Sequence, residues 1–273
     1  MVDVAGSVLD PDLGDHVCLP FQGDRERMAA TRAFTANGLR RRTKVVIITH
    51  TDTPERTREW LAPLVPGLAA AEAAGRVEIT AYAGADGPAW LLGELVAAGE
   101  LAREQGHRGV YALVDAAWGV RDAAGREEFE AAVNALFGER WLAAVCQYDR
   151  GLYSAAAVNR AAAIHPIAPG QALLRYANTR PGLRLSGDID ITNRPAFASV
   201  LTQLEAVTAE VVIDATGLDF IDAGSAQLLA LTALARAAAH HHRTVVVCRG
   251  TVARVLRLIR ADEVIAVRRA DDG

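Results

Sequence analysis

The run at residues 211–231, VVIDATGLDFIDAGSAQLLAL, changes its hydrophobic period within one short span. That change limits the folds open to the chain. Val211, Val212 and Ile213 are an apolar β-branched run and read as a buried strand. Thr216 and Gly217 interrupt it, and Leu218 to Ile221 form a second short apolar stretch. Beyond Asp222, the residues Ala226, Leu229, Ala230, Ala233 and Leu234 recur at three- and four-residue spacing, as on one face of a helix. Asp222 and Ser225 thus stand where a strand becomes a helix. Free backbone N–H groups collect there, and either side chain can cap them. The same turn suits a phosphate, since a helix N-terminus offers donors and partial positive charge. On these residues alone, an ordinary N-cap and an anion site both stay open.

The rest of the chain alternates in the same way. Strands are expected at residues 17–21, 44–49, 76–81, 109–115 and 142–148, and helices at 24–42, 54–64, 69–74, 89–105, 125–137 and 155–164. Thr53 before Pro54 marks one helix start, with a capping residue followed by proline at the first helical position. Alternation of this kind predicts an α/β fold: a mostly parallel sheet with helices on both faces. Ligands on such sheets bind past the carboxyl ends of the strands, near Phe21, Thr49, Asp115 and Tyr148. The pattern breaks at residues 165–170, HPIAPG, which places a domain boundary there. Residues 1–168 form one expected domain and residues 169–273 a smaller α/β domain.

Composition narrows the function. With 51% apolar residues the chain fills a real core, which excludes wholesale disorder. Net charge is −4 with both signs interspersed, so no nucleic-acid surface is expected. The one basic run, Arg40, Arg41, Arg42 and Lys44, reads as a helix end. The three cysteines, Cys18, Cys146 and Cys248, are too few and odd in number for a disulfide framework and fit a reducing cytoplasm. The N-terminus is acidic and lacks a signal-peptide pattern, and no apolar window reaches the about 18 residues of a membrane span. A cytoplasmic protein without membrane partners is expected.

Two resemblances add to this reading. The stretch LRLSGDIDITNRPAFASVL (183–201), then FIDAGSAQLL (220–229), then TVVVCRGTVARVLRLIRADEVIAV (244–267) resembles STAS domains, the fold of anti-sigma-factor antagonists and of the cytoplasmic ends of sulfate transporters. The likeness covers about residues 174–268. It implies a protein-binding surface at Asp222, Ala223, Gly224, Ser225 and Leu229, with Asp188 and Asp190 nearby. The implied partner is an anti-sigma factor of the kinase-type ATPase fold. Antagonists switched by phosphorylation carry Asp-Ser-Ser-Gly in this loop, the second Ser taking the phosphate. A gapless match puts Gly224 on that Ser and leaves Ser225, the remaining candidate phosphoacceptor, one residue on. On a helix that is a rotation of about 100°.

The N-terminal half, through GDHVCLPF (14–21), KVVIIT (44–49), VDAAW (114–118) and AVCQYDRGLYS (144–154), resembles the MEDS sensory domain over about residues 14–166. That family is regarded as a degenerate relative of RecA-like ATPases and is proposed to sense small organic molecules.

Three chemistries are open to this half. ATP hydrolysis needs Gly-x-x-x-x-Gly-Lys-Ser/Thr after the first strand. That place holds Gln22-Gly23-Asp24-Arg25-Glu26-Arg27, whose carboxylates repel a triphosphate, so no nucleotide cofactor is expected. His16, Cys18 and Cys146 are soft ligands on strands that can be neighbours. His16 and Cys18 share one side of a strand. Cysteine in an apolar run is, however, commonly a small core residue, and that reading is preferred, with no metal. A small-molecule pocket at the sheet edge is the third, drawing on His16, Cys18, Asp115, Trp118, Cys146, Tyr148 and Asp149. The run His240-His241-His242 reads as a solvated helix terminus. The expectation is a non-enzymatic bacterial signalling protein: a sensor of a small molecule or of stress joined to an antagonist-like domain that regulates transcription. A homodimer is compatible with it. The alternatives are a non-phosphorylated scaffold of a stress-sensing complex and a degenerate nucleotide-binding ATPase.

Overall fold

The computed structural model describes residues 8–82 and 87–270. The chain divides into two compact units, Met1–Ala161 and Ala162–Gly273, each with its own five-stranded sheet. The division falls a few residues before the HPIAPG break.

In the first unit, β1 (His16–Phe21), α1 (Gly23–Arg40), β2 (Lys44–Thr49), α2 (Pro54–Leu61), α3 (Leu68–Ala73) and β3 (Val77–Ala81) are followed by α4 (Pro88–Glu104), β4 (Val110–Asp115), a 3-10 turn (Ala116–Val120), α5 (Ala123–Phe137) and β5 (Leu142–Asp149). Helix α6 (Ala155–Ile164) carries the division between the units. The strand order is β1-β5-β4-β2-β3, and every pair is parallel. β2 and β4 are buried along their whole length, which explains their continuous apolar runs; β3, at an edge, alternates.

Parallel crossovers are right-handed, so the direction of each connection fixes the face its helix covers. The steps β1 to β2 and β2 to β3 run one way along the sheet, which puts α1, α2 and α3 on one face. The steps β3 to β4 and β4 to β5 run the other way and put α4 and α5 on the opposite face. The direction reverses between β2 and β4, where the loops leaving the two strands diverge. As expected, Thr53 caps α2 by accepting from the Arg56 N–H, with Pro54 at the first helical position.

In the second unit, β6 (Leu174–Thr179) and β7 (Gly182–Ile189) are antiparallel. They are followed by α7 (Arg194–Thr202), β8 (Val211–Ile221), α8 (Ala223–His240), β9 (Thr244–Cys248), α9 (Gly250–Leu258) and β10 (Ile265–Arg269). The order is β10-β9-β8-β7-β6, with every pair except β6–β7 parallel. Strand β8 differs from the sequence expectation. Thr216 and Gly217 do not break it, and it runs unbroken through all eleven residues. The irregularity is absorbed by register shifts against β7, between Arg184 and Ser186 and between Gly187 and Asp188. Gly187, at φ +91°, is needed there: a Cβ would meet the Leu173 carbonyl oxygen at 2.1 Å. The buried Arg236 of α8 donates to the carbonyls of Leu204, Val207 and Ala209, tying down the connection between α7 and β8.

Candidate functional site

The first unit opens a cleft of about 670 Å³ at the switch between β2 and β4. His50 and Thr51 reach it from the end of β2, Tyr82 from the end of β3, and Trp118, Val120 and Arg121 from the turn after β4. Tyr82 stacks on Trp90 at 5.3 Å and meets Trp118 edge-on at the same distance. This gives one wall an aromatic surface. Asp115, at the tip of β4, sets the shape of the floor. One carboxylate oxygen accepts from the N–H groups of His50 and Thr51, at 3.2 and 2.7 Å, and the other from Ala117 at 3.0 Å. The carboxylate therefore clamps the two diverging loops together.

Of the residues expected to line a ligand pocket, Trp118 does so and Asp115 supports the floor. The others do not reach the cleft. Asp149 accepts from the Gly151 N–H at 2.7 Å and closes the turn after β5. His16, Cys18, Cys146 and Tyr148 are buried against the α5 face of the sheet. Strand alternation accounts for this: Cys146 and Tyr148 point one way, while Gln147 between them points toward Thr31 on the α1 face. His50, Thr51 and Tyr82 escaped the sequence reading because strand order, not local pattern, brings them to Trp118.

Under the sheet, Cys18 and Cys146 are buried core residues, as the preferred reading has it, and α5 also delivers polar partners to His16 and Cys146. Glu130 Oε2 lies 3.1 Å from His16 Nε2 and 3.7 Å from Cys146 Sγ, and that sulfur lies 3.5 Å from His16 Nε2. Asn134 Oδ1 is 2.9 Å from His16 Nδ1, and the Tyr148 hydroxyl donates to Glu130 Oε1. The His16 ring stacks on Phe137 at 4.5 Å. Cys18 and Cys146 sit opposite one another in the β1–β5 register. Burial, and then Glu130, pushes both thiols well above the ordinary cysteine range, so as free thiols they stay protonated and unreactive near neutral pH.

Where a nucleotide loop would lie, the Gln22 N–H donates to Glu26 Oε2 at 2.8 Å, and Asp24 also stands in the first turn of α1. The protein's own carboxylates hold that helix start.

In the second unit, Asp222 is the N-cap of α8: its Oδ1 accepts from the Ser225 N–H at 2.6 Å. Its Oδ2 accepts from Arg194 Nη2, also at 2.6 Å, and Arg194 Nε donates to Ser225 Oγ at 3.3 Å. Burial raises the Asp222 pKa, but the Ser225 N–H and hydroxyl and the Arg194 guanidinium outweigh it and hold the carboxyl below its usual range. Arg194 fills the space beside Gly224, where a Cβ would meet its Nη2 at 2.5 Å. Asp190 accepts from the Thr192 N–H and hydroxyl and shapes the turn into α7, while Asp188 is half-buried on β7. Ser225 and Leu229 are fully buried, which corrects the expectation that they belong to an exposed contact surface. They lie on the face of α8 that packs on the sheet. The exposed apolar residues here are Leu231 (56%) and Leu234 (52%) on α8 and Phe220 (44%) at the end of β8. At the other end of α8, His241 ends the helix in the left-handed conformation and both His241 and His242 face solvent.

A parallel sheet with a cleft at its switch point, followed by a mixed sheet whose longest strand feeds a capped helix, defines a two-domain α/β protein. Residues 15–166 match the family described as the methanogen/methylotroph, DcmR sensory domain (MEDS), and residues 173–267 match the family described as Mlab, STAS domain. The first match spans more than half of the chain, and the chain belongs to the MEDS family, with a STAS domain following. No curated protein matches it. MEDS and STAS domains together fit a signalling protein. Among the described residues, no helix is long and apolar enough to cross a membrane.

Proposed function

We propose that this chain is a non-enzymatic signalling protein. Its first unit senses a small organic molecule at the β2–β4 cleft. Its STAS unit binds an anti-sigma factor of the kinase-type ATPase fold, which frees a sigma factor and changes transcription. The observation that carries the proposal is the pair Leu231 and Leu234, one turn apart on the helix that Asp222 caps and both more than half exposed. Large apolar side chains left exposed side by side mark an interaction surface. The test is affinity capture from the native cytoplasm with the wild-type chain and with Leu231→Asp/Leu234→Asp, whose substitutions are on exposed positions. A kinase-fold ATPase captured by the first and lost by the second is the expected result. Equal capture by both removes this surface, and a set of partners without such an ATPase removes the pathway.

The burial of Ser225 and the position of Arg194 against Gly224 favour an antagonist or scaffold that works without a phosphate. Intact mass after incubation with the captured kinase and ATP should stay unchanged. A gain of one phosphate that disappears in Ser225→Ala would restore the phosphorylation switch. Sensing is tested at Trp118: its fluorescence should change when a cleft ligand binds, and Tyr82→Ala should weaken that response.

A further inference from the structure

We infer that His16, Glu130 and Cys146 form a buried zinc-binding site in the first unit. The three donor atoms are a nitrogen, an oxygen and a sulfur, the mixture that zinc takes. Their mutual separations are 3.1, 3.5 and 3.7 Å. Zinc at its usual bond lengths of about 2.0–2.3 Å in tetrahedral geometry sets such atoms about 3.3–3.6 Å apart.

The surrounding groups aim the donors. Asn134 Oδ1 accepts from His16 Nδ1–H, and in the neutral imidazole Nε2 then presents its lone pair to Glu130 and Cys146. Stacking on Phe137 holds the imidazole plane. The Tyr148 hydroxyl engages Oε1 of Glu130, and it is the other oxygen, Oε2, that faces His16 and Cys146. At 3.1 Å, His16 Nε2 and Glu130 Oε2 call for positive charge between them, a proton or a metal ion. A divalent ion supplies it. On binding, Cys146 gives its thiol proton to solvent and ligates as thiolate, Glu130 ligates as carboxylate and His16 as neutral imidazole. One Zn²⁺ and two anionic ligands sum to zero charge, the state that burial favours.

The experiment uses the full-length, tag-free chain purified without chelator. Metal content by mass spectrometry should be one zinc per chain. It should persist in His241→Ala/His242→Ala, which removes two adjacent exposed histidines able to hold metal adventitiously. Cobalt loaded into the stripped protein should give tetrahedral visible bands and a sulfur-to-cobalt charge-transfer band. Cys146→Ala should lose the charge-transfer band, and Asn134→Ala should weaken retention by about 10–100-fold. If Cys146→Ala does not fold, the wild-type cobalt spectrum decides. Trace metal only with no charge-transfer band, or metal that leaves with His241 and His242, overturns the site and leaves a proton between His16 and Glu130.

Discussion

Glu130 and Asp222 are both carboxylates that organise a small network, one in each unit, and they do so at opposite levels of exposure. Glu130 sits in the middle of α5, buried, with His16, Cys146 and Tyr148 around it. Asp222 sits at the start of α8, part-exposed, with the Ser225 N–H and the Arg194 guanidinium as partners. A helix start needs a capping acceptor whatever the protein does, so Asp222 is explained by the fold. The middle of a buried helix face has no such need. Apolar residues would fill it at lower cost, and the carboxylate there is kept by its partners His16, Cys146 and Tyr148, the first two of them donors of the site we infer. The difference also bears on the surface proposed for the STAS unit: its polar turn is internally engaged, and the helix leaves Leu231 and Leu234 outward.

If the comparison is right, Glu130→Ala is the most damaging single change. It removes one partner each from Tyr148, Cys146 and His16 in a buried site. The expected loss is about 3 kcal/mol or more, read from urea unfolding of the full chain. Glu130→Gln, which keeps shape and one acceptor, should lose less. A loss below about 1 kcal/mol for the alanine variant would place Glu130 with ordinary exposed helix residues and end the contrast.

The sequence shows much of the architecture and little of this cluster. The change of period at Asp222 announces the strand, the turn and the helix, and strand period two puts His16 and Cys18 on one side of β1. The α5 contribution is hidden by its own spacing. Arg126, Glu130 and Asn134 recur every four residues, which reads as a solvated stripe, yet all three are buried. They are drawn in because Phe129, Val133 and Phe137 flank them, and a stripe so bordered faces the sheet. The cleft fails to show for a different reason: the reversal of strand order between β2 and β4 is a property of the sheet, and no local pattern encodes it. Tyr148 is hidden by strand alternation. It lies near the carboxyl end of β5, but alternation turns it down toward Glu130 rather than up toward the cleft.

Asp222→Ala sharpens the other side of the comparison and should cost less. It removes one cap and one part-exposed ion pair, together about 1–2 kcal/mol by urea unfolding. Asp222→Asn keeps a capping oxygen and should recover most of that. Charge reversal at Asp222 is a poor probe of partner binding, because it disturbs the helix start and Arg194 together. The Leu231 and Leu234 substitutions touch neither. If Asp222→Ala proved as costly as Glu130→Ala, capping would not explain Asp222.

The smallest effect is in acid. The folded-state pKa of Asp222 lies below its unfolded value of about 3.9, so its ionised form contributes stability above that value. As pH falls from about 4 through the folded pKa, the carboxyl becomes protonated in the native state too, and the contribution disappears. Asp52 and Asp214 are also held low, but they are common to the wild type and Asp222→Asn and cancel between them. The difference in unfolding free energy between these two proteins should therefore be constant near neutral pH and narrow once the pH passes below about 4. A difference that stays constant into strong acid would mean that Arg194 and the Ser225 N–H do not hold the charge of Asp222 in solution. The part-exposed carboxylate would then be as replaceable as its position on the surface suggests.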